Sequence, residues 1–423
     1  MQQTKYKHWE KLDNTANLFP VIAGEQMTNT YRISCELKET VDPDLLQKAL
    51  DRVLLRFPGF KLRLHTGVFW YYLEENNHPA PRVHEEDTYP CRLIHPNQNN
   101  HYLFRVTYYK KRINLEVFHA IADGMGGTTF LRELTYQYLR LAHPDLAKEL
   151  GDGLSDETSL NREDSFLRNF RKSSPPKYKL DKALEITGEK LPYNGFGVMT
   201  GYLSVSQIKK VAKERYHTTI NDYIVAAFIY ATYRNFPEKA YQRPIRVAVP
   251  VNLRPYFHSN TTKNFFVMVS AEFRPKKEDY SFEEIVELTK ESLSEQMTRE
   301  NLEAIFSFNV ANQKILVARA VPLPLKNIAM KAFYQKSAHA NTTTITNIGR
   351  VTVEDAYKPY ISSFFCFLPF STGQNLKAAI TSYEDKLALV FSSALTDTSI
   401  ERDVFRQLTK DGIDVEIETN GVF

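Results

Sequence analysis

The sequence predicts a mixed α/β (α+β) protein whose two halves each combine a mixed sheet with helices. Strand-like alternation and helix-like spacing of apolar residues occur at similar density in both halves of the 423 residues. Short turn sequences join several of the strand patterns, which is typical of antiparallel hairpins. No short-period repeat is visible, so the pattern does not indicate a solenoid or a propeller.

In the first half, a helix and two hairpins precede the most informative segment. Residues 1–30 show no clear period, and we expect an irregular lead-in there. Asp42-Pro43 supplies an N-cap and a first-turn proline for the predicted helix. The predicted strands cover residues 31–38, a hairpin over 60–65 and 68–74, and a second hairpin over 102–109 and 113–119.

The second half repeats this mixture of elements. A helix capped by Ser206, a helix starting at 218–222 and a capping box at Ser281–Glu284 are predicted, the last opening a long helical stretch interrupted near Pro322 and Pro324. The other predicted elements are strands at 198–205, 245–250, 265–273, 342–347, 361–369 and 414–418, a hairpin over 377–393 and a helix at 400–408.

A shift in composition divides the two halves. Glycine, serine and proline become frequent from about 147 to 195, which is typical of a linker or crossover segment. We therefore expect an N-terminal subdomain at 1–150, a linker at 151–197 and a C-terminal subdomain at 198–423.

Charge and cysteine content exclude several function classes. The net charge of +4 is slight and no basic block appears, so nucleic acid is not an expected partner. Cys35, Cys91 and Cys366 lie far apart without a C-x-x-C pair, which argues against a disulfide framework or a zinc site. The polar start has no signal-peptide pattern, and the apolar runs are too short to span a bilayer. A cytoplasmic protein is therefore expected.

One segment indicates chemistry. The predicted strand 113–118 runs into His119, and Asp123-Gly124 follow, with Gly126 close behind in the start of a helix. A histidine is suited to general-base catalysis near neutral pH, and a strand end holds it rigidly. The alternative is a structural histidine whose ring is satisfied by hydrogen bonds, and the pattern alone leaves both open.

Other catalytic motifs are missing. The chain has no G-x-S-x-G, no H-E-x-x-H and no phosphate loop. Gly124-Met-Gly126 lacks the third glycine of a dinucleotide site. The run 84–87 (His-Glu-Glu-Asp) is predicted to be a solvated turn, so no metal site is expected.

The segment Phe118-His119-Ala-Ile-Ala-Asp123-Gly124 resembles the signature of the CoA-dependent acyltransferase superfamily, which includes chloramphenicol acetyltransferase and condensation domains. Three further stretches resemble the family in the same order: 219–227, Pro250-Val-Asn-Leu-Arg-Pro255 with Asn264-Phe265 downstream, and Thr346-Asn-Ile-Gly349. The opening 9–20 and the strand 69–72 are most similar to bacterial alcohol acetyltransferase-like proteins.

The resemblance implies two chloramphenicol-acetyltransferase-like subdomains, pseudo-dimeric around a central tunnel that holds His119. His119 would be the base that activates an acceptor alcohol, with acyl-CoA as cosubstrate and no permanently bound cofactor. Asp123 would support the loop by pairing with Arg254, the alternative being that Asp123 only caps the following helix. Gly124 and Gly126 would let a thioester approach the backbone.

Three polar residues complete the predicted substrate-binding set. The resemblance assigns Thr346 and Asn347 to the oxyanion or the tunnel wall, although both also suit a plain turn. Asn252 is a weaker candidate for the same role.

Two rival functions remain open from sequence. One is a free-standing condensation-type enzyme that forms an amide or ester from an acyl donor bound to a carrier protein. The other is a non-catalytic relative that binds a small molecule in the same tunnel. The intact His119 and Asp123 disfavour the latter, because a binding module has no need of them.

Overall fold

The computed structural model describes residues 8–172, 181–314 and 320–422. The serine- and proline-rich part of the predicted linker, at 173–180, lies outside these ranges, as do the first seven residues of the predicted lead-in. Three sheets with helices packed on them make up the described part of the chain, so the mixed α/β class is confirmed.

The strands follow the predicted order closely. Those of the first half are β1 (Trp9–Lys11), β2 (Thr30–Leu37), β3 (Leu62–Thr66), β4 (Tyr71–Glu75), β5 (His84–Glu85), β6 (Phe104–Tyr109) and β7 (Arg112–Phe118). Those of the second half are β8 (Gly197–Ser204), β9 (Ile245–Asn252), β10 (Phe266–Phe273), β11 (Thr343–Arg350), β12 (Ile361–Phe367), β13 (Leu376–Tyr383), β14 (Lys386–Ser393) and β15 (Val415–Thr419).

The helices lie between and over these strands. They are α1 (Phe19–Ile22), α2 (Pro43–Leu54), α3 (Gly124–Ala142), α4 (Pro144–Leu150), α5 (Ser165–Arg168), α6 (Val205–Lys210), α7 (Ile220–Asn235), α8 (Pro237–Gln242), α9 (Arg254–Phe257), α10 (Phe282–Ser294), α11 (Arg299–Lys314), α12 (Leu323–Ala338) and α13 (Ser399–Lys410). A capping box formed by Ser281 and Glu284 opens α10, as predicted.

A five-stranded sheet in the order β12-β2-β7-β6-β5 forms the first half, with a smaller sheet β1-β4-β3 beside it. Strands β2, β7 and β6 pair antiparallel, and Thr30 lies opposite Phe118 at the end of β7. The outermost strand on one side, β12, comes from the second half of the chain and pairs antiparallel with β2. The range 198–423 therefore does not stay within one sheet, because its strand β12 joins the sheet of the first half.

The second half is built on a seven-stranded sheet in the order β10-β9-β11-β13-β14-β8-β15. Strand β11 is parallel to both of its neighbours, whereas the remaining pairs are antiparallel. Helices α10 and α13 each pack against α7, and α10 also packs on β10. Their apolar side chains and those of the sheet form the larger core cluster, while β2, β7, α2 and α3 form a second.

Some local predictions were wrong. The lead-in contains β1, which pairs with β4, and the helix α1. The residue that caps α6 is Ser204 rather than Ser206, because Ser204 Oγ accepts the backbone N–H of Gln207. The run 84–87 is not simply a solvated turn: its first two residues pair with β6, and Glu86 forms an ion pair with the buried Arg32.

Candidate active site

His119 follows directly after β7, where one backbone hydrogen bond and three aromatic rings contact it. Its backbone N–H donates to the carbonyl of Asn29 at 2.9 Å. The imidazole stacks on Phe19 with ring centroids 4.6 Å apart, and Tyr31 meets it edge-on at 4.9 Å. The ring centroid of Phe266, from the second half, lies 5.6 Å from that of His119. Residues from both halves therefore surround the ring, and the side chain remains partly exposed.

The orientation of Asn264 determines the tautomer of His119. The Asn264 Nδ2 group donates to the Asp13 carboxylate at 2.9 Å and to the His119 carbonyl at 3.1 Å. Its Oδ1 must therefore face His119 Nδ1, 2.8 Å away, and a carbonyl oxygen can only accept there. With the amide reversed, Oδ1 would face the Asp13 carboxylate oxygen and the His119 carbonyl oxygen, and neither contact could be a hydrogen bond. Nδ1 consequently carries the proton, and Nε2 keeps its lone pair.

The Nε2 atom of His119 has no hydrogen-bond partner among the described residues. Phe19 stacks on the imidazole and Tyr31 meets it edge-on, but neither residue donates a hydrogen bond to Nε2. The unprotonated nitrogen is thus the one that a bound ligand would meet.

Asp13 anchors this arrangement from the first half. Its carboxylate accepts the Ala16 backbone N–H at 2.8 Å as well as the side chain and backbone N–H of Asn264. The side chain is 2 % exposed. Burial raises the pKa of Asp13 to about 6, although its hydrogen bonds oppose that rise. A chain of hydrogen bonds therefore runs from Asp13 through Asn264 to His119.

The electrostatics favour a neutral imidazole. Burial lowers the pKa of His119 below its ordinary value, against the opposing influence of the Asp123 charge and the hydrogen bond with Asn264. The ring is therefore neutral at neutral pH, with its single proton on Nδ1, and Nε2 can accept a second proton. The imidazolium formed in this way would be stabilised by the charge of Asp123, and by Asp13 through the hydrogen bonds of Asn264.

Asp123 and Arg254 form a two-pronged ion pair across the two halves. The guanidinium nitrogens lie 2.8 and 3.0 Å from the two carboxylate oxygens. Asp123 also accepts the backbone N–H groups of Gly126 and Phe265, at 3.1 and 3.0 Å. The residue therefore does both things that the sequence suggested, pairing with Arg254 and capping α3. Because its oxygens are fully used, Asp123 holds the loop that carries His119.

Asn252 supports this pair. Its side-chain oxygen accepts from the backbone N–H and the guanidinium of Arg254, both at 3.1 Å. The guanidinium also donates to the carbonyls of Thr261 and Lys263, at 2.9 and 2.8 Å. Arg254 thus fixes the segment 261–265, and this segment includes Asn264.

Other parts of the protein pack closely against the backbone at Gly124 and at Gly126. A Cβ atom at Gly126 would lie 2.4 Å from the Thr262 carbonyl oxygen, so glycine is required for the loop of the second half to pack there. A Cβ at Gly124 would lie 2.6 Å from the end of the Ile348 side chain. Protein atoms already fill these positions, and the approach of a thioester to either glycine stays a prediction.

Thr346 and Asn347 lie in the middle of β11, just before a β-bulge. Asn347 is exposed, and its side-chain oxygen accepts the Gly349 backbone N–H at 2.8 Å in a local turn. Gly349 has a φ of +84°, which this turn requires. Thr346 is partly exposed. The neighbouring Ile348 side chain lies against Gly124, so the middle of β11 adjoins the start of α3.

The surroundings give no sign of a metal centre. Among the described residues, no group of three or more His, Cys, Asp or Glu side chains is arranged to hold a metal ion. The three cysteines are buried and unpaired with one another. Two cavities, of about 450 and 200 Å³, lie beside β8 and beside Arg32, and His119 lines neither of them. The predicted tunnel therefore stays a prediction.

Sequence reasoning missed two important residues. Asn264 was noted only as part of a motif, and Asp13 only as part of the opening segment, without a role for either. Their signal was weak because Asp13 lies 106 positions before His119 and Asn264 lies 145 after it, so only the tertiary fold brings them together.

Comparison with known proteins shows likeness in three dimensions. No family model matches the chain, and no curated protein matches its sequence. F. graminearum TRI101 complexed with coenzyme A and deoxynivalenol superposes with a TM-score of 0.63 at 13% identity, covering 97% of this chain and 99% of that one.

Two further solved structures extend this likeness. Polyketide synthase associated protein 5 from Mycobacterium tuberculosis gives 0.57 at 14% identity, over 94% and 96% of the two chains. The condensation domain of the Monacolin K polyketide synthase MokA gives 0.58 at 10% identity, over 96% of each. Over nearly its whole length, the chain has the fold shared by CoA-dependent acyltransferases and condensation domains.

Proposed function

We propose that the protein transfers an acyl group from acyl-CoA to an alcohol, with His119 as the general base. The observation that carries this proposal is the fixed tautomer of His119. Asn264 holds the proton on Nδ1, which leaves the lone pair on Nε2, and His119 as a whole is partly exposed. A neutral imidazole with an accessible lone pair is what deprotonation of a hydroxyl requires.

The proposed reaction begins at Nε2 of His119. Nε2 accepts the proton of the acceptor hydroxyl while its oxygen forms a bond to the thioester carbonyl carbon. The tetrahedral intermediate then collapses, the carbon–sulfur bond breaks, and the imidazolium returns the proton to the departing thiolate. No acyl-enzyme is needed, which agrees with the absence of a nucleophile motif. Holding donor and acceptor together supplies the orientation effect.

The remaining polar residues act around this base. Asn264 and Asp13 stabilise the imidazolium as it forms, since their hydrogen-bond chain ends on a carboxylate. Asp123 and Arg254 fix the loop that carries His119 and the segment that carries Asn264.

The substrate-binding roles are part of the same proposal. Gly124, Gly126 and Thr346 would contact the thioester or line its path, and Asn347 would contribute to the oxyanion. Asn252 would act through Arg254, because its side-chain oxygen already accepts from that guanidinium.

The choice of donor rests on likeness alone. TRI101 binds coenzyme A together with deoxynivalenol, which supports CoA as the donor carrier and a small alcohol as acceptor. The likeness to condensation domains supports the second candidate, amide or ester formation from a carrier-bound donor. Three buried, unpaired cysteines support a reducing, cytoplasmic location.

Thiol release tests the proposal directly. The purified protein is incubated with acetyl-CoA and a panel of alcohols and amines while free CoA is followed. We expect ester formation with alcohols, and a fall in kcat of about 10²- to 10⁴-fold in His119→Ala, a typical contribution of a general base. His95→Ala, at an exposed histidine outside the site, is the control.

Three results would contradict the proposal. Full activity in His119→Ala would remove the base. Turnover only with a carrier-bound thioester would favour the condensation reaction. Ligand binding without turnover of any donor would favour a non-catalytic relative.

A further inference from the structure

Lys377 is buried in the seven-stranded sheet without a partner. It lies in β13, the central strand of that sheet together with β11 and β14, and the residue is 8% exposed. It forms no hydrogen bond and no ion pair with any residue that the structure describes. Lysines are almost never buried to this degree unless they are paired, because an unpaired ammonium loses its hydration. The ammonium is therefore available to a ligand.

The side chain of Lys377 lies on the face of the sheet that is turned toward the first half. Ala379, two residues further along β13, belongs to the core cluster of the first half, and side chains two apart in a strand share a face. Burial lowers the pKa of Lys377 to about 8, and the neighbouring Cys91 of the first half opposes that fall. At neutral pH the amine is thus mostly protonated, between two layers of the protein.

Strand β11 continues the same face toward the candidate active site. Thr346 pairs with Ala379 in a parallel ladder, so Thr344, two residues earlier, lies beside Lys377. Ile348, further along, lies against the first residue of α3. At about 3.3 Å per residue, Ile348 is roughly 13 Å from Thr344 along the strand. Lys377 is therefore about that far from the loop that carries His119.

This face is not completely closed by packing. Thr344, Thr346 and Ile348 are all partly exposed, although β11 has strands on both sides. The Nζ atom of Lys377 is not among the polar atoms that the described residues enclose without a partner, so water can reach it. Space for a ligand is thus present along the row that joins the ammonium to the start of α3.

A second donor without a partner lies close to the lysine. Thr344 Oγ1 donates to Gln374 Oε1 at 2.8 Å, which leaves the Gln374 Nε2 group with no hydrogen-bond partner among the described residues. Gln374 is also 8% exposed. No carboxylate of the described residues contributes to the pKa of Lys377. An ammonium and an amide N–H group that both lack an acceptor match a carboxylate, whose two oxygens can accept from both.

We propose that Lys377 and Gln374 bind a carboxylate of the substrate, an inference that rests on the proposed function because the reacting group is taken to lie at Nε2 of His119. The distance along β11 sets the carboxylate well apart from the reacting atom, at the other end of an extended chain. That chain is either a hydroxy acid acceptor or the acyl chain of a dicarboxylic acyl-CoA. A neutral chain would leave the ammonium unpaired, so the site selects for charge.

Paired substrates test this selection. In the first arm acetyl-CoA is the donor, and ω-hydroxydecanoate is compared with its methyl ester as acceptor. In the second arm a neutral alcohol is the acceptor, and sebacoyl-CoA is compared with decanoyl-CoA as donor. We expect the wild type to have the higher kcat/KM for the acid in one arm, and that arm identifies which substrate carries the carboxylate.

Lys377→Met removes the charge and keeps an unbranched side chain. The ratio of kcat/KM for the acid to that for its neutral partner should fall about ten- to a hundredfold. Gln374→Leu should lower the same ratio about three- to tenfold. Lys209→Met, at an exposed lysine of α6, is the matched control and should keep the wild-type ratio. The urea midpoint of Lys377→Met should not fall, since the variant removes an unpaired buried charge.

An unchanged ratio in Lys377→Met in both arms would overturn the proposal, as would a wild type that prefers the neutral partner in both. Isothermal titration calorimetry with ω-hydroxydecanoate and with sebacoyl-CoA separates this result from a failure of the transferase reaction, because binding needs no turnover. If no substrate is turned over, weaker binding by Lys377→Met than by Lys209→Met supports the carboxylate site, and equal binding overturns it.

Discussion

The buried carboxylate of Asp13 is expected to make the folding stability of the protein depend on pH. Burial raises its pKa from an ordinary value of 3.8 to about 6. A group with a raised pKa contributes stability that is fully present below its unfolded pKa and lost as pH rises through its folded pKa. The difference between the two values corresponds to about 3 kcal/mol. At neutral pH the protein therefore carries an anion that opposes folding.

Asp13→Asn tests this reasoning because it removes the charge and keeps the shape of the side chain. When the pH falls from 7 to 5, the free energy of unfolding of the wild type should rise by about 1.3 kcal/mol relative to the variant. His119 titrates in both proteins, so its contribution cancels in the difference to a first approximation. At neutral pH the variant should also lose about tenfold in kcat, since a neutral amide stabilises the imidazolium less than a carboxylate does.

Urea unfolding at the two pH values measures the first effect, and thiol release measures the second. Asp156→Asn, at an exposed aspartate outside the site, is the control and should show neither. A stability difference that is the same at pH 5 and pH 7 would refute the buried titration. Full activity in Asp13→Asn would refute the hydrogen-bond chain as a support of the base.

Three further changes probe the surrounding contacts. Asn264→Leu should lower kcat about a hundredfold with little change in KM, because the tautomer of the base is no longer fixed; an unchanged kcat would contradict this. Arg254→Met should lower the free energy of unfolding by about 3–5 kcal/mol, measured by urea, because Asp123 is left as an unpaired buried charge. Gly126→Ala should destabilise by about 1–3 kcal/mol, because its Cβ would meet a backbone carbonyl at 2.4 Å. Gly153→Ala, where nothing lies within 4 Å, should change stability by much less and is its control.

Most local elements could be predicted from sequence because their signals are local. The hairpin that ends at His119 follows from alternation and a three-residue turn, and the structure has β6 and β7 there. The cap at Asp42 and the capping box at Ser281 likewise depend only on neighbouring residues. Such features need no knowledge of what packs against them.

Non-local features could not be derived in the same way. Strand β12 reads as an ordinary apolar strand, and nothing in its residues says that it pairs with β2. The orientation of Asn264 depends on a carboxylate supplied by Asp13 from the lead-in. The Asp123–Arg254 pair was anticipated through a family resemblance, because the spacing of 131 residues gives no physical reason to join them.

The strand exchange of β12 limits how the protein can open. This strand starts in the second half, yet it is hydrogen-bonded to β2, the immediate neighbour of the strand that ends at His119. Separating the two halves by a hinge movement would require breaking the hydrogen bonds between β12 and β2, and also the Asp123–Arg254 ion pair. Any ligand would therefore have to reach His119 through movements of side chains and loops rather than through separation of the two halves.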